Sequence, residues 1–166
     1  MNTTSSRPQL CIAAAQAISV ANDVARNVQT HLAFAREAAQ QGVQLLVFPE
    51  LSLTGYELPQ LAARVLDEDG MALAPLRQAV PLVSEKGYGP ESAQLQAYTR
   101  EHAMAVLPAN HSGTSGGYAS AGHSAFWAPG GHEVAAAPGP GQCLVVATRT
   151  ADGEWSGCVV PLDLAA

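Results

Sequence analysis

In "LLVFPELSLTGYEL", residues 45–58, an apolar run meets a proline and one carboxylate, Glu50, stands directly behind it. An acid in that place can be a surface or capping group, or it can be a base. A carboxylate partly withdrawn from water keeps its proton to higher pH and can take one from a nucleophile near neutrality. A base alone achieves little, so the other reactive side chains decide what it could do. Cys11 lies inside an apolar run, Cys143 opens another, and Cys158 falls near the carboxyl end. None follows the pattern of a helix N-terminus or stands beside an evident base, so each reads as structural. An odd number of cysteines without C-x-x-C spacing implies neither a disulfide framework nor a zinc site, and points to a reducing, cytoplasmic setting. His102, His111, His123 and His132 lack the i, i+4 pairing of metal ligands, so no metal or other cofactor is expected. Ser124 in "AGHSAF" has Phe126 where a nucleophile elbow needs glycine, and reads as a strand residue. Lys86, the single lysine, sits in "SEKGYGP" and reads as a solvated loop residue.

The elements that must carry these residues follow from periodicity. "QLCIAAAQ", residues 9–16, is a short apolar run and predicts a buried strand. From Asn22 or Asp23, either one a plausible N-cap, apolar residues recur at Val24, Val28, Leu32, Ala35 and Ala39. This spacing predicts a helix with that stripe as its apolar face, closed by Gly42. "VQLLVFP" predicts a second buried strand, ended by Pro49 because proline cannot donate to a ladder. Strand, helix, strand is a βαβ unit with parallel strands, and the natural fold class is α/β. Glu50 then sits just past the carboxyl end of a strand, where such sheets place their ligands. Downstream, the pattern predicts short helical pieces between Leu61 and Ala79 and a helix over 91–103 with Pro90 in its first turn. It further predicts a strand over 104–110. Glycine and proline then punctuate the apolar runs 124–128, 134–137 and 143–148, which predict antiparallel hairpins, with "EWSGCVVPLD" as an edge strand.

Taken in order, "LCIAAAQ", the helix and "GVQLLVFPELSLTGY" resemble the opening of the nitrilase, or carbon-nitrogen hydrolase, superfamily. Its first strand typically ends in glutamine and its second in a P-E-L-x-L-x-G-Y-type motif. The stretch from "LQAYTREHAMAVLPAN" through "GHSAFWAPGGHEVAAAPG" is similar to the family's region after its nucleophile. The resemblance implies an α-β-β-α sandwich with Glu50 at the position of the catalytic glutamate. It also implies hydrolysis of non-peptide C–N bonds, of amides or less often nitriles, in which a cysteine thiolate attacks and a lysine stabilises the developing charge. In the family that lysine and cysteine lie between the two matching blocks. Here the blocks adjoin near Gln78 to Pro81. The expectation is therefore a single domain over 9–163 behind a flexible tail at 1–8, with an internal deletion near 78–81 and an incomplete sandwich. Activity would be lost or severely impaired. The alternative is a non-catalytic pseudoenzyme that binds a small amide or pairs with a full-length homologue.

The bulk composition limits the partners. Net charge is −6 with no basic stripe, which argues against nucleic acid. No apolar run is long enough to span a bilayer, and the first ten residues lack a basic leader, so no membrane is expected. Charged residues are only 13% of the chain and hydrophobic ones 48%, which leaves little to hold a fully wet surface and favours a homo-oligomer. A small amide or nitrile is the expected substrate, if any.

Overall fold

The computed structural model describes residues 9–57 and 85–164. The expectations for the tail at 1–8, for the helical pieces between Leu61 and Ala79 and for the join at 78–81 lie outside these residues.

Strand β1 (Leu10–Gln16) pairs in parallel with β2 (Leu45–Val47), and helix α1 (Val24–Gln40) makes the crossover. The βαβ unit is thus as its pattern predicts. Asp23 caps α1 by accepting from the Arg26 N–H at 3.0 Å, and Gly42 closes it at φ 70°. The inward face of α1 differs from the expected stripe. Asn27, His31, Phe34 and Ala38 are buried, whereas Ala35 and Ala39 are exposed and Val24, Val28 and Leu32 only partly covered. Counting apolar residues misplaced the face because two of its four inward positions are polar, for a reason that lies at the end of β2.

The helix after the undescribed interval, α2 (Glu85–Glu101), starts six residues earlier than its sequence predicts. It runs through Pro90, whose missing N–H leaves the Lys86 carbonyl without its helical donor. The Ser92 hydroxyl donates to the Gly89 carbonyl one turn on, at 3.1 Å. Lys86 is therefore a residue of the first helical turn and not of a loop. The strand predicted over 104–110 is reduced to one bridge between Val106 and Trp127, because Pro108 has no N–H to continue a ladder. Its carbonyl instead accepts from Ala125 N–H at 3.3 Å.

The glycine-rich third forms three antiparallel hairpins. β3 (Ser112–Ser115) pairs with β4 (Tyr118–Ala121), over residues where no strand is expected from the sequence. β5 (Ala125–Trp127) pairs with β6 (Glu133–Ala136), and β7 (Cys143–Arg149) with β8 (Trp155–Pro161), as expected. β7 also lies antiparallel to β1, giving a mixed sheet in the order β2-β1-β7-β8.

This sheet separates two cores. On one face Ala13, Ala15, Leu144 and Val146 pack with Phe34 and Ala38 of α1. On the other, Ala14, Val145 and Ala147 meet Phe126, Ala135 and Ala109, so the β5–β6 hairpin and the segment beside it form the next layer. α2 is tied to the β5–β6 turn by Gly130 N–H donating to Thr99 O at 3.1 Å and Gln96 Nε2 donating to Gly131 O at 2.9 Å. The expected α/β sandwich is present. β2 is less buried than predicted: it lies at the border of the described sheet, with Leu45 55% exposed.

Candidate active site

The carboxyl ends of β1 and β2 and the start of β7 share one rim, because β1 and β2 run parallel and β7 opposes them. At this rim Gln16 is fully buried. Its Nε2 donates to the carbonyls of Gly139 and Gly141 at 2.7 and 2.8 Å, and its Oε1 accepts from Ser124 N–H at 2.9 Å. One side chain thus ties the end of the first strand to two late loops. The Ser124 hydroxyl is held by the backbone of Asn110, accepting from its N–H at 2.8 Å, which suits a structural role.

Glu50 follows buried Pro49 and is itself half-buried. Behind it the chain coils tightly. Leu51 takes a left-handed φ of 54°, and its carbonyl accepts from the N–H groups of Thr54 and Gly55 at 3.0 and 2.8 Å. A leucine in that region is strained and persists only where its surroundings hold it. The surroundings are specific. Three successive carbonyls of the turn accept from the β1–α1 side: Ser52 O from Ser19 Oγ at 2.7 Å, Leu53 O from Asn27 Nδ2 at 2.8 Å, and Thr54 O from Asn22 N–H at 2.8 Å. The β3–β4 turn holds the far end. Tyr56 N–H donates to Ser115 Oγ at 2.7 Å, and Gly116 N–H to the Glu57 carboxylate at 2.8 Å.

Two histidines are built into this cradle. His31 Nδ1 lies 2.7 Å from the Asn27 carbonyl, which can only accept, so that nitrogen carries the proton and Nε2 accepts from Ser52 Oγ at 2.9 Å. Burial lowers the His31 pKa, and the bond to Asn27 opposes this only in part. His111 accepts from Ser19 N–H at 2.9 Å, and burial pushes its pKa down to about 4. Its Nδ1 is buried without a partner among the described residues.

The sequence singles out Glu50 and passes over Asn27, His31, Ser19 and Ser52. The signal for two of them was present: Asn27, His31, Phe34 and Ala38 recur at helical spacing, but polar residues do not count towards an apolar stripe.

The remaining nucleophile candidates are not at the cradle. Cys11 is near the opposite end of β1, its sulfur 3.4 Å from Thr148 Oγ1. Cys143 opens β7 opposite Gln16, but is buried in the core, which pushes its thiol up to about 11. Cys158 is exposed on β8. Among the described residues no group of three His, Cys, Asp or Glu side chains is arranged to hold a metal. His102 and His132 are exposed, and His123 Nδ1 is 3.2 Å from the Ala137 carbonyl.

Residues 11–107, including β1, α1, β2 and the Glu50 turn, match the carbon-nitrogen hydrolase family. The chain belongs to this family. Its fold is that of an amidase of the nitrilase superfamily from Nesterenkonia AN1. A cysteine-to-serine mutant of that enzyme superposes with a TM-score of 0.70 at 18% identity, over 82% of this chain and 90% of the other. A cysteine-to-alanine mutant in complex with butyramide gives 0.72 at 18% identity, over 86% and 92%. A glutamate-to-glutamine mutant carrying the product of Michael addition of acrylamide at its active site cysteine gives 0.70 at 17%, over 82% and 92%. No curated protein matches the sequence significantly. The family match ends at residue 107, and for the hairpins beyond it the likeness is one of fold alone.

Proposed function

We propose that this carbon-nitrogen hydrolase family chain keeps the general-base position at Glu50 but does not turn over amides, and serves instead to bind a small amide. The observation that carries this is the placement of its cysteines. Thiol-dependent amide hydrolysis needs a thiolate to attack the carbonyl carbon while a carboxylate takes the thiol proton and passes it to the leaving amine. Water then adds to the acyl-enzyme with the same carboxylate as base. A thiol held near pKa 11 in a core, one at the far end of β1 and one on an exposed strand cannot share a proton with Glu50. Loss of the nucleophile from such a group costs on the order of 10⁶ in rate.

A panel of acetamide, butyramide and acrylamide, followed by ammonia release, tests the first half. Release indistinguishable from buffer for wild type and Glu50→Gln is expected, whereas turnover abolished by Glu50→Gln would overturn it. Butyramide binding tests the second half. A carboxylate accepting from the amide N–H contributes enough that Glu50→Gln should weaken binding about tenfold. Equal titration curves for the two proteins would remove Glu50 from the site. Self-association, or pairing with a full-length homologue, agrees with the low charge content and is read out by light scattering with and without the homologue.

A further inference from the structure

The inward face of α1 is polar where it should be apolar, and both polar residues reach the same turn. Asn27 is 1% exposed and His31 3% exposed. Asn27 uses all its amide atoms: Oδ1 accepts from Val20 N–H at 2.7 Å, and Nδ2 donates to Val20 O and Leu53 O, each at 2.8 Å. His31 touches the chain on both sides of Glu50. Its ring stacks on Phe48, two residues before, with centroids 4.0 Å apart and planes 23° from parallel. Its Nε2 accepts from Ser52, two residues after. Burying these groups has a desolvation cost that Leu or Ala at the same positions would not incur. A face needed only to cover the sheet would not carry them.

We propose that His31 is a positioning residue for Glu50, and that α1 clamps the carboxylate-bearing turn through the Phe48 stack and the Ser52 hydrogen bond. The clamp explains why Leu51 holds a left-handed φ: its neighbours on both sides are fixed, so the turn between them cannot relax to an extended path. His31 acts through these neighbours and touches no substrate. The assignment gains its functional meaning from the reading of Glu50 as base, but the geometry can be tested without any substrate.

Two NMR readouts on the full chain do so: amide hydrogen exchange, and the Glu50 carboxyl ¹³C signal followed through its titration. His31→Phe keeps an aromatic ring against Phe48 and removes the Ser52 bond. Ser52→Ala removes only the hydroxyl, so the test survives if the first variant folds poorly. Both should speed exchange at Thr54 and Gly55 about tenfold more than at Ala14 and Val145 of the β1–β7 ladder, by opening the turn locally. Both should also displace the Glu50 carboxyl signal. Uniform acceleration of turn and ladder amides with an unmoved Glu50 signal would make His31 an ordinary core residue and overturn the proposal. Failure of the amide-binding test with a positive result here would remove the reading of Glu50 and leave the clamp.

Discussion

Glu50 stands out in the sequence because a single carboxylate after an apolar run and a proline is a local pattern, whereas the residues that hold its turn do not. Asn27 and His31 are separated from the turn by about twenty positions, and their partners are mostly backbone carbonyls, which carry no residue identity. Asn27 matters most for stability. Substitution by Ala strands Val20 N–H and Leu53 O in a partly buried place, whereas Val20 O keeps its bond from Asp23 N–H. Each uncompensated group costs roughly 1–3 kcal/mol, so with partial relaxation Asn27→Ala should lose about 3 kcal/mol. Urea unfolding monitored by circular dichroism measures this. A loss below about 1 kcal/mol would mean that water replaces the amide freely.

Among the elements, the βαβ unit and the last two hairpins could be read from periodicity and turn residues, since each depends on neighbours in sequence. The β3–β4 hairpin could not. "HSGTSGGYASAG" has neither alternating hydrophobicity nor β-branched density, and its strands owe their place to contacts distant in sequence, with Ala17, Gly141 and the Glu50 turn. Gly116 shows this most sharply. A Cβ there would stand 1.9 Å from the Tyr56 carbonyl oxygen, at a φ of 57°. Neighbouring Gly117 has φ 77° but open space around it. Gly117→Ala should therefore cost about 1 kcal/mol from backbone strain alone. Gly116→Ala must also push the hairpin off the segment that carries Tyr56, and should cost roughly 3 kcal/mol or more. Equal denaturation midpoints for the two variants would show that the hairpin and the loop move apart at little cost.

At the scale of the whole molecule, the two cores leave His31 and His111 buried and neutral, which makes folding sensitive to acid. His111 has an ordinary pKa of 6.5 when unfolded and about 4 when folded. Between these values the unfolded chain takes up a proton that the native state refuses, so stability is complete above 6.5 and falls as pH drops towards 4. Fully expressed, that separation is worth roughly 3 kcal/mol, a large part of the ~5–15 kcal/mol that holds an ordinary domain together. His31 is shifted in the same direction and adds to the slope. His111→Gln removes the titration while its side-chain oxygen can still accept from Ser19 N–H. Urea midpoints at pH 7.5, 6 and 5 should fall steadily for wild type and less steeply for His111→Gln, the difference cancelling the carboxylates common to both. A wild-type midpoint that stays level from 7.5 to 5, or a variant as acid-sensitive as its parent, would show that the folded chain accommodates a protonated His111, whose Nε2 could then no longer accept from Ser19 N–H. The rim of β1 and β2 would then tolerate a charge beside the Glu50 turn.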